Sequence, residues 1–140
     1  NTIGGWQYLE TAASDQSTGI EWGCYGTLIS GTQLTVGSGE ANTALIVSGC
    51  NEASFAAQLC NDLTLGGQSD WFLPSRDELN LMYRNLHLNN QGNFSIGNLR
   101  YWSSTEASTN DIYSAWGIFF LNGNAMLAGG AGYVRAVRAF

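Results

Sequence analysis

The side chains that could carry acid–base or nucleophilic chemistry are spaced in a way that argues against an enzyme. His87 is the only histidine in the 140-residue chain. A serine–histidine–acid set would need it beside Ser103 or Ser104, and no nucleophile-elbow motif occurs. Asp77 and Glu78 are adjacent acids, but a place at the start of a helix explains both residue types without catalysis. The sequence therefore predicts a protein that is not an enzyme.

The three cysteines, Cys24, Cys50 and Cys60, allow at most one disulfide bond within the chain. We expect that bond between Cys24 and Cys50, with Cys50–Cys60 as the alternative pairing. Cys60 falls on an apolar helical stretch, which is typical of a buried free thiol. With one histidine and no C-x-x-C motif, a zinc site is not expected.

Oxygen ligands of the kind that calcium prefers occur together at Glu106, Asn110 and Asp111. The segment lacks the spaced acidic pattern and the glycine of a calcium-binding loop, so we expect a solvated loop between strands. No metal or other cofactor is predicted. Calcium could still bridge acidic molecules during self-association.

The balance of charge excludes a general nucleic-acid-binding surface. Eleven acidic residues oppose five arginines, lysine is absent, and the net charge is −6. Nucleic-acid binding needs a basic footprint. No apolar run approaches the length of a membrane span, so insertion into a membrane is not expected either. Charged residues make up only 11% of the chain, a composition that is common in secreted and cell-surface domains.

The best-defined secondary-structure element in the sequence is a helix that begins after Ser75 and contains the adjacent acids Asp77 and Glu78. Ser75 and Glu78 have the spacing of a capping box, in which each side chain accepts a hydrogen bond from the other residue's backbone N–H. Beyond the cap, apolar residues recur every three or four positions and form one stripe, made of Leu79, Met82, Tyr83 and Leu86.

Other elements are predicted on both sides of this helix. A first helix is expected to start at Asn42 and stop at Gly49, and a second to span residues 52–63. Strands are expected at 4–10, from residue 100 and at 133–140. Asn122-Gly123 between two apolar runs predicts a hairpin with a type I′ turn. This order predicts an α+β fold in one domain that covers residues 1–140.

Two arginines in the terminal strand are three positions apart, so their side chains point to opposite faces. One of the two, Arg135 or Arg138, is therefore expected to be buried or half-buried. A buried guanidinium needs a carboxylate or carbonyl partner. We expect the partner among the acids of the segment from Asp70 to Leu86.

Several motifs together resemble the family of Lcl C-terminal domains. The most specific are GG-x-SDWFLPSRDELNLMY, YWSSTE and the terminal VRAVRAF, and the resemblance extends over essentially the whole chain. The family comprises globular heads of bacterial surface proteins, including collagen-like adhesins. The resemblance implies a C-type-lectin-like or formylglycine-generating-enzyme-like fold, with two to three helices packed on a twisted antiparallel sheet. It also implies a secreted or cell-surface location and a homotrimer on a collagen-like stalk.

The same resemblance implies binding of sulfated glycosaminoglycans, with roles in attachment, clumping and biofilm formation. An acidic domain can bind a polyanion locally, because charges farther apart than ~8 Å are screened at physiological salt. A trimer would repeat each exposed arginine around its axis, and arginine binds sulfate through paired charge-assisted bonds. We expect Arg84, Arg100 and Arg76, in that order, to contact the ligand. The alternatives are a ligand-free head that trimerises and caps the stalk, and a calcium-dependent self-association module.

Overall fold

The computed structural model describes residues 8–24, 27–107, 115–128 and 130–140. Within those ranges the chain is an α+β protein, as predicted. The strands are β1 (Leu9–Thr11), β2 (Ser17–Glu21), β3 (Tyr101–Glu106), β4 (Ala115–Ile118), β5 (Ala125–Ala128), β6 (Ala131–Val134) and β7 (Val137–Ala139), and the helices are α1 (Gly39–Gly49), α2 (Ala56–Asn61) and α3 (Arg76–Asn85), followed by a turn of 3-10 helix at His87–Asn89.

The strands form two sheets rather than one. Five strands lie in the order β2–β6–β3–β4–β5, and β1 pairs with β7 in a separate two-stranded sheet. The pairings are antiparallel, except that β3 and β6 run parallel where Tyr101 lies opposite Tyr133. The expected antiparallel sheet is therefore a mixed sheet with one parallel contact.

The core consists of two apolar clusters that meet at β3. Tyr101 and Trp102 are consecutive in β3, so their side chains point to opposite faces of the sheet. Trp102 belongs to the cluster that contains the buried apolar residues of α1 and α2, and Tyr101 to the cluster that contains those of α3. Strand β3 is buried along its whole length because it separates these two clusters.

Helix α3 begins as the sequence predicts. The Ser75 hydroxyl accepts a hydrogen bond from the Glu78 N–H at 3.2 Å, and Glu78 Oε1 accepts one from the Ser75 N–H at 2.8 Å. The second carboxylate oxygen of Glu78 accepts a 2.7 Å bond from the Gly37 N–H, so this residue also holds the preceding loop. Burial raises the pKa of Glu78 despite these bonds.

The two earlier helices depart from their predicted bounds. Helix α1 begins at Gly39, after Ser38, so Asn42 does not cap it. Asn42 is buried instead, and its amide pairs with both backbone groups of Gln33 at 2.7 and 2.8 Å. Helix α2 begins only after Phe55, because residues 51–54 are exposed and bury no apolar face that would stabilise a further turn.

The predicted terminal strand is divided in two. Arg135 and Ala136 separate β6 from β7, and these strands belong to different sheets. The division follows from Arg135, whose buried guanidinium binds groups that lie off the sheet. The predicted opening strand begins at Leu9, and residues 1–7 lie outside the described residues.

The predicted hairpin is present between β4 and β5, but its turn is not type I′. The loop spans residues 119–124, and it is closed by bonds from the Phe119 N–H to the Asn124 carbonyl and from the Gly123 N–H to the Phe119 carbonyl. Gly123 has a φ of +79°, whereas Asn122 does not have a positive φ. A type I′ turn requires positive φ at both central residues.

Cys24 and Cys50 form the disulfide bond, which is the first of the two pairings considered. Cys60 is a buried free thiol in the cluster that contains α2. Burial raises the pKa of Cys60, so the thiol stays protonated and unreactive in the folded protein.

Candidate functional site

Arg135 is the buried arginine of the C-terminal segment, but its partner is not in the predicted region. Its Nη2 lies 2.8 Å from Asp15 Oδ1, and Nε donates to the same oxygen at 2.9 Å. One of the three acids of the central region, Asp70, pairs instead with the partly exposed Arg138 at 2.8 Å. The hydrogen bond from Arg138 lowers the pKa of Asp70. The expected pairing of Arg135 with the segment from Asp70 to Leu86 is therefore wrong.

Arg100 does not lie at the surface, where it would have to lie to be one of the exposed arginines that a trimer repeats around its axis. The residue is 9% exposed, and its guanidinium lies 4.8 Å from the centre of the Trp102 ring. Gly117 of β4 leaves room for the stem, since a Cβ there would overlap Arg100 Cγ. Burial lowers the pKa of the guanidinium. The surface position expected for Arg100 is corrected to a place on the sheet against Trp102.

Arg76 and Arg84 lie at opposite ends of α3. The Arg76 side chain is 29% exposed, pairs with Asp77 at 3.4 Å, and lies 4.9 Å from the centre of the Trp116 ring. Arg84 is exposed in the last turn of the helix. The two are about 12 Å apart along the helix axis, which exceeds the screening length of ~8 Å. Within one chain they therefore act as separate charges.

Arg84 differs from the other four arginines in its surroundings. The chain has no ion pair between Arg84 and any carboxylate within the ranges that the structure describes. The Arg84 side chain is accordingly available to a ligand at the end of α3.

A groove that the sequence analysis did not identify follows directly after α3. Its volume is about 190 Å³, and it is lined by His87, Asn90, Gln91, Asn93 and Phe94. We refer to these five residues as the amide groove. In the sequence the groove corresponds to the run HLNNQGNF. The composition of this run predicts a loop and does not indicate a groove.

The floor of the amide groove is fixed from the inside of the protein. Arg135 Nη1 donates to the Gly92 carbonyl at 2.6 Å, and Nη2 donates to the Asn93 carbonyl at 3.1 Å. The same guanidinium lies 4.3 Å from the centre of the Phe94 ring. Arg135, the buried arginine of the C-terminal segment, therefore also positions the loop that lines the groove.

The residues considered as calcium ligands are only partly within the described residues. Glu106 is buried, and its two carboxylate oxygens accept 2.7 Å bonds from the N–H groups of Ile29 and Ser30. Asn110 and Asp111 lie outside the described residues. In the described part of the chain, the group of possible metal ligands that comes together is Cys24, Cys50 and Glu52, and its two sulfurs are joined in the disulfide.

The residues considered for catalysis are not brought together. His87 makes ring contacts with Tyr83 and Phe120 at 5.5 and 5.4 Å. The Ser103 hydroxyl donates to the Trp116 carbonyl at 2.7 Å, and Ser104 accepts from the Asn42 amide at 3.2 Å. These contacts occupy both serines in the interior, and neither hydroxyl is hydrogen-bonded to His87 among the described residues.

Comparison with known proteins places the chain in a family. The family model described as the Lcl C-terminal domain matches residues 11–138, which is most of the chain, and no curated protein matches the sequence. No helix among the described residues is long and apolar enough to cross a membrane. The chain therefore belongs to the Lcl C-terminal domain family, a family of adhesin-related surface domains.

Proposed function

We propose that this domain is the head of a secreted or cell-surface bacterial adhesin that binds sulfated glycosaminoglycans of the heparin type. It would thereby support host attachment, clumping and biofilm formation. The observation that carries the proposal is Arg84, which is exposed and has no ion pair among the described residues. A guanidinium binds a sulfate group through parallel charge-assisted hydrogen bonds.

The order of the expected arginines changes with their surroundings. Arg84 remains first. Arg76 comes second, because it must exchange its pairing with Asp77 for the ligand, and such partly exposed pairs contribute only ~0–1 kcal/mol. Arg100 becomes last, because its guanidinium lies buried against Trp102.

Three further parts of the proposal rest on the family and on the chemistry of the chain. The head acts as a homotrimer, so that each exposed arginine is repeated about the axis. Its α+β architecture belongs to the C-type-lectin-like or formylglycine-generating-enzyme-like group. It is not an enzyme, which is supported by the ring contacts of His87 and by the hydrogen bonds that occupy Ser103 and Ser104.

The test is the affinity of the purified domain for heparin over a range of salt concentrations. We expect Arg84→Gln to weaken binding about fivefold to tenfold at low salt and to reduce its salt dependence. Arg138→Gln is the matched control, because it changes the net charge equally while its side chain is paired with Asp70 and Glu10. An equal loss in both variants would mean that only net charge matters and that Arg84 is not the contact.

A second candidate function is self-association without a glycan, and β5 supports it. Among the described strands, β5 lies at an edge of the five-stranded sheet. Met126 and Leu127 are exposed, and residues 112–134 contain no charged side chain. Edge strands without charges tend to pair with another chain. If the domain self-associates through β5, Met126→Lys should lower the molecular mass of the assembly measured in solution, whereas Leu81→Lys on α3 should not. Repeating the measurement with calcium and with a chelator tests the calcium-dependent form.

A further inference from the structure

We infer that the amide groove is a subsite that holds one uncharged ring face of the polysaccharide, next to the charge supplied by Arg84. This inference deepens the proposed function and rests on it. It assigns a binding role to His87, Asn90, Gln91 and Asn93, which line the groove together with Phe94.

The polar side chains of the groove form no hydrogen bonds within the described part of the fold, although the His87 ring packs against Tyr83 and Phe120. Asn90, Gln91 and Asn93 are exposed and His87 is partly exposed. None of the four side chains hydrogen-bonds to another residue in the part of the chain that the structure describes. By contrast, the buried amide of Asn42 is paired on both its oxygen and its nitrogen.

The chemistry of the lining fits the hydroxyl groups of a sugar. Each amide side chain offers both a donor and an acceptor, and a neutral imidazole does the same. A sugar hydroxyl is likewise donor and acceptor, so the two kinds of group are complementary. Among the described residues, none of the five that line the groove is acidic, so the lining does not repel a polyanion. Phe94 is only 8% exposed and contributes a small apolar part of the lining.

The groove is held in a fixed shape before any ligand binds. The Gly92 and Asn93 carbonyls are bound to Arg135, so the loop backbone is anchored inward. Asn90, Gly92 and Asn93 all have a positive φ, of 58°, 87° and 51°. Glycine adopts positive φ without strain, whereas for Asn90 and Asn93 this backbone costs free energy that surrounding contacts offset. A site that is ordered in advance loses less entropy when it binds.

The size and position of the groove limit what it can hold. Its volume of about 190 Å³ is smaller than the ~300–1,000 Å³ of sites for drug-sized ligands, which suits a single sugar ring. Arg84 lies three residues before His87, a spacing at which side chains are neighbours on a helical surface. A sulfate on the bound ring or on the adjacent ring would therefore come within reach of Arg84.

The experiment compares heparin hexasaccharide binding by variants across salt concentrations. Asn90→Gly/Gln91→Ala/Asn93→Gly removes the amides, and glycine avoids strain where φ is positive. Asn98→Ala, an exposed amide outside the groove, is the control. We expect the triple variant to bind about tenfold more weakly at every salt concentration with an unchanged slope of log K against log salt. Arg84→Gln should instead reduce that slope.

Nuclear magnetic resonance of the wild-type domain gives a readout that does not depend on whether the variant folds. Side-chain amide signals of Asn90, Gln91 and Asn93 should shift when the hexasaccharide is added at high salt, and that of Asn98 should not. If those signals stay in place, or the triple variant binds like Asn98→Ala, the groove assignment is overturned while the Arg84 proposal stands. If the wild-type domain binds no heparin at low salt, both are overturned.

Discussion

Removing the Asp15 carboxylate should strongly destabilise the protein, because this carboxylate is the anionic partner of a buried arginine. Asp15 Oδ1 accepts bonds from Arg135 Nε at 2.9 Å and from the Tyr101 hydroxyl at 2.7 Å, and Oδ2 accepts one from the Ser95 hydroxyl at 2.7 Å. Asp15→Ala would leave Arg135, which is 1% exposed, as a buried charge without its carboxylate.

The expected size of the effect follows from that uncompensated charge. Breaking a buried ion pair by removing one partner costs about 3–5 kcal/mol. For a chain of this length, the entropy of unfolding is roughly 0.3 kcal/mol/K, so the melting temperature should fall by about 10–17 °C. The loss should be smaller when Arg135 is also replaced by methionine, because the double variant buries no charge.

The measurement is urea unfolding followed by tryptophan fluorescence, with the disulfide intact. Asp62→Ala is the control, since this exposed carboxylate bonds to Gln58 at the end of α2, and it should change stability by less than about 0.5 kcal/mol. The reasoning is refuted if Asp15→Ala stays within 1 kcal/mol of the wild type, or if the double variant is no more stable than Asp15→Ala alone.

Three further effects are expected. Reducing the Cys24–Cys50 bond, which joins residues 26 positions apart, should cost about 3–4 kcal/mol in urea unfolding on the loop-entropy account; a loss below 1 kcal/mol would contradict it. Glu78→Gln should lower the free energy of unfolding by about 1–3 kcal/mol in the same assay. In the wild type the two carboxylate oxygens accept hydrogen bonds from the Ser75 and Gly37 N–H groups, and the glutamine NH₂ would have to face one of these donors. Burial and the bond to Asp15 raise the pKa of Tyr101 to about 12, above the unfolded value of about 10. The native state then holds this proton more tightly, so the free energy of unfolding should fall as pH rises from about 10 to 12. The free energy of unfolding of Tyr101→Phe should fall less steeply over the same range.

The sequence predicted structure well where all the partners of a feature lie in one short segment. The capping box of α3 needs only Ser75 and Glu78, and the alternation of side chains along a strand needs only the spacing of Arg135 and Arg138. Both features could be recognised because their geometry is set by the local backbone alone.

Prediction failed where the partner is distant along the chain. Asn42 has the residue type of a helix cap, yet it is buried and bonds to Ser104, 62 positions away. The buried arginine of the terminal segment was expected to pair with an acid between Asp70 and Leu86, but Arg135 pairs with Asp15, which is 120 positions away. No local pattern distinguishes that aspartate from the other ten acidic residues.

The amide groove was missed for a related reason. The run of amides after α3 is visible in the sequence, but amides are equally typical of solvated loops. What separates a binding surface from such a loop is the inward anchoring of the Gly92 and Asn93 carbonyls by Arg135. That anchoring depends on the C-terminal segment, which no reading of the loop alone can supply.

The use of arginine in this fold determines how the proposed adhesin must bind. Arg135 and Arg138 hold the C-terminal segment, and Arg76 and Arg100 pack against tryptophan rings. One exposed arginine per chain supplies only a modest free energy, since each tenfold gain in affinity needs about 1.4 kcal/mol. A polysaccharide repeats its charged unit, so several heads on one polymer raise avidity by roughly 10²–10⁴ without any new contact. Tight attachment in the proposed adhesin therefore comes from the number of heads engaged, while neutral contacts in the amide groove select which ring lies beside Arg84.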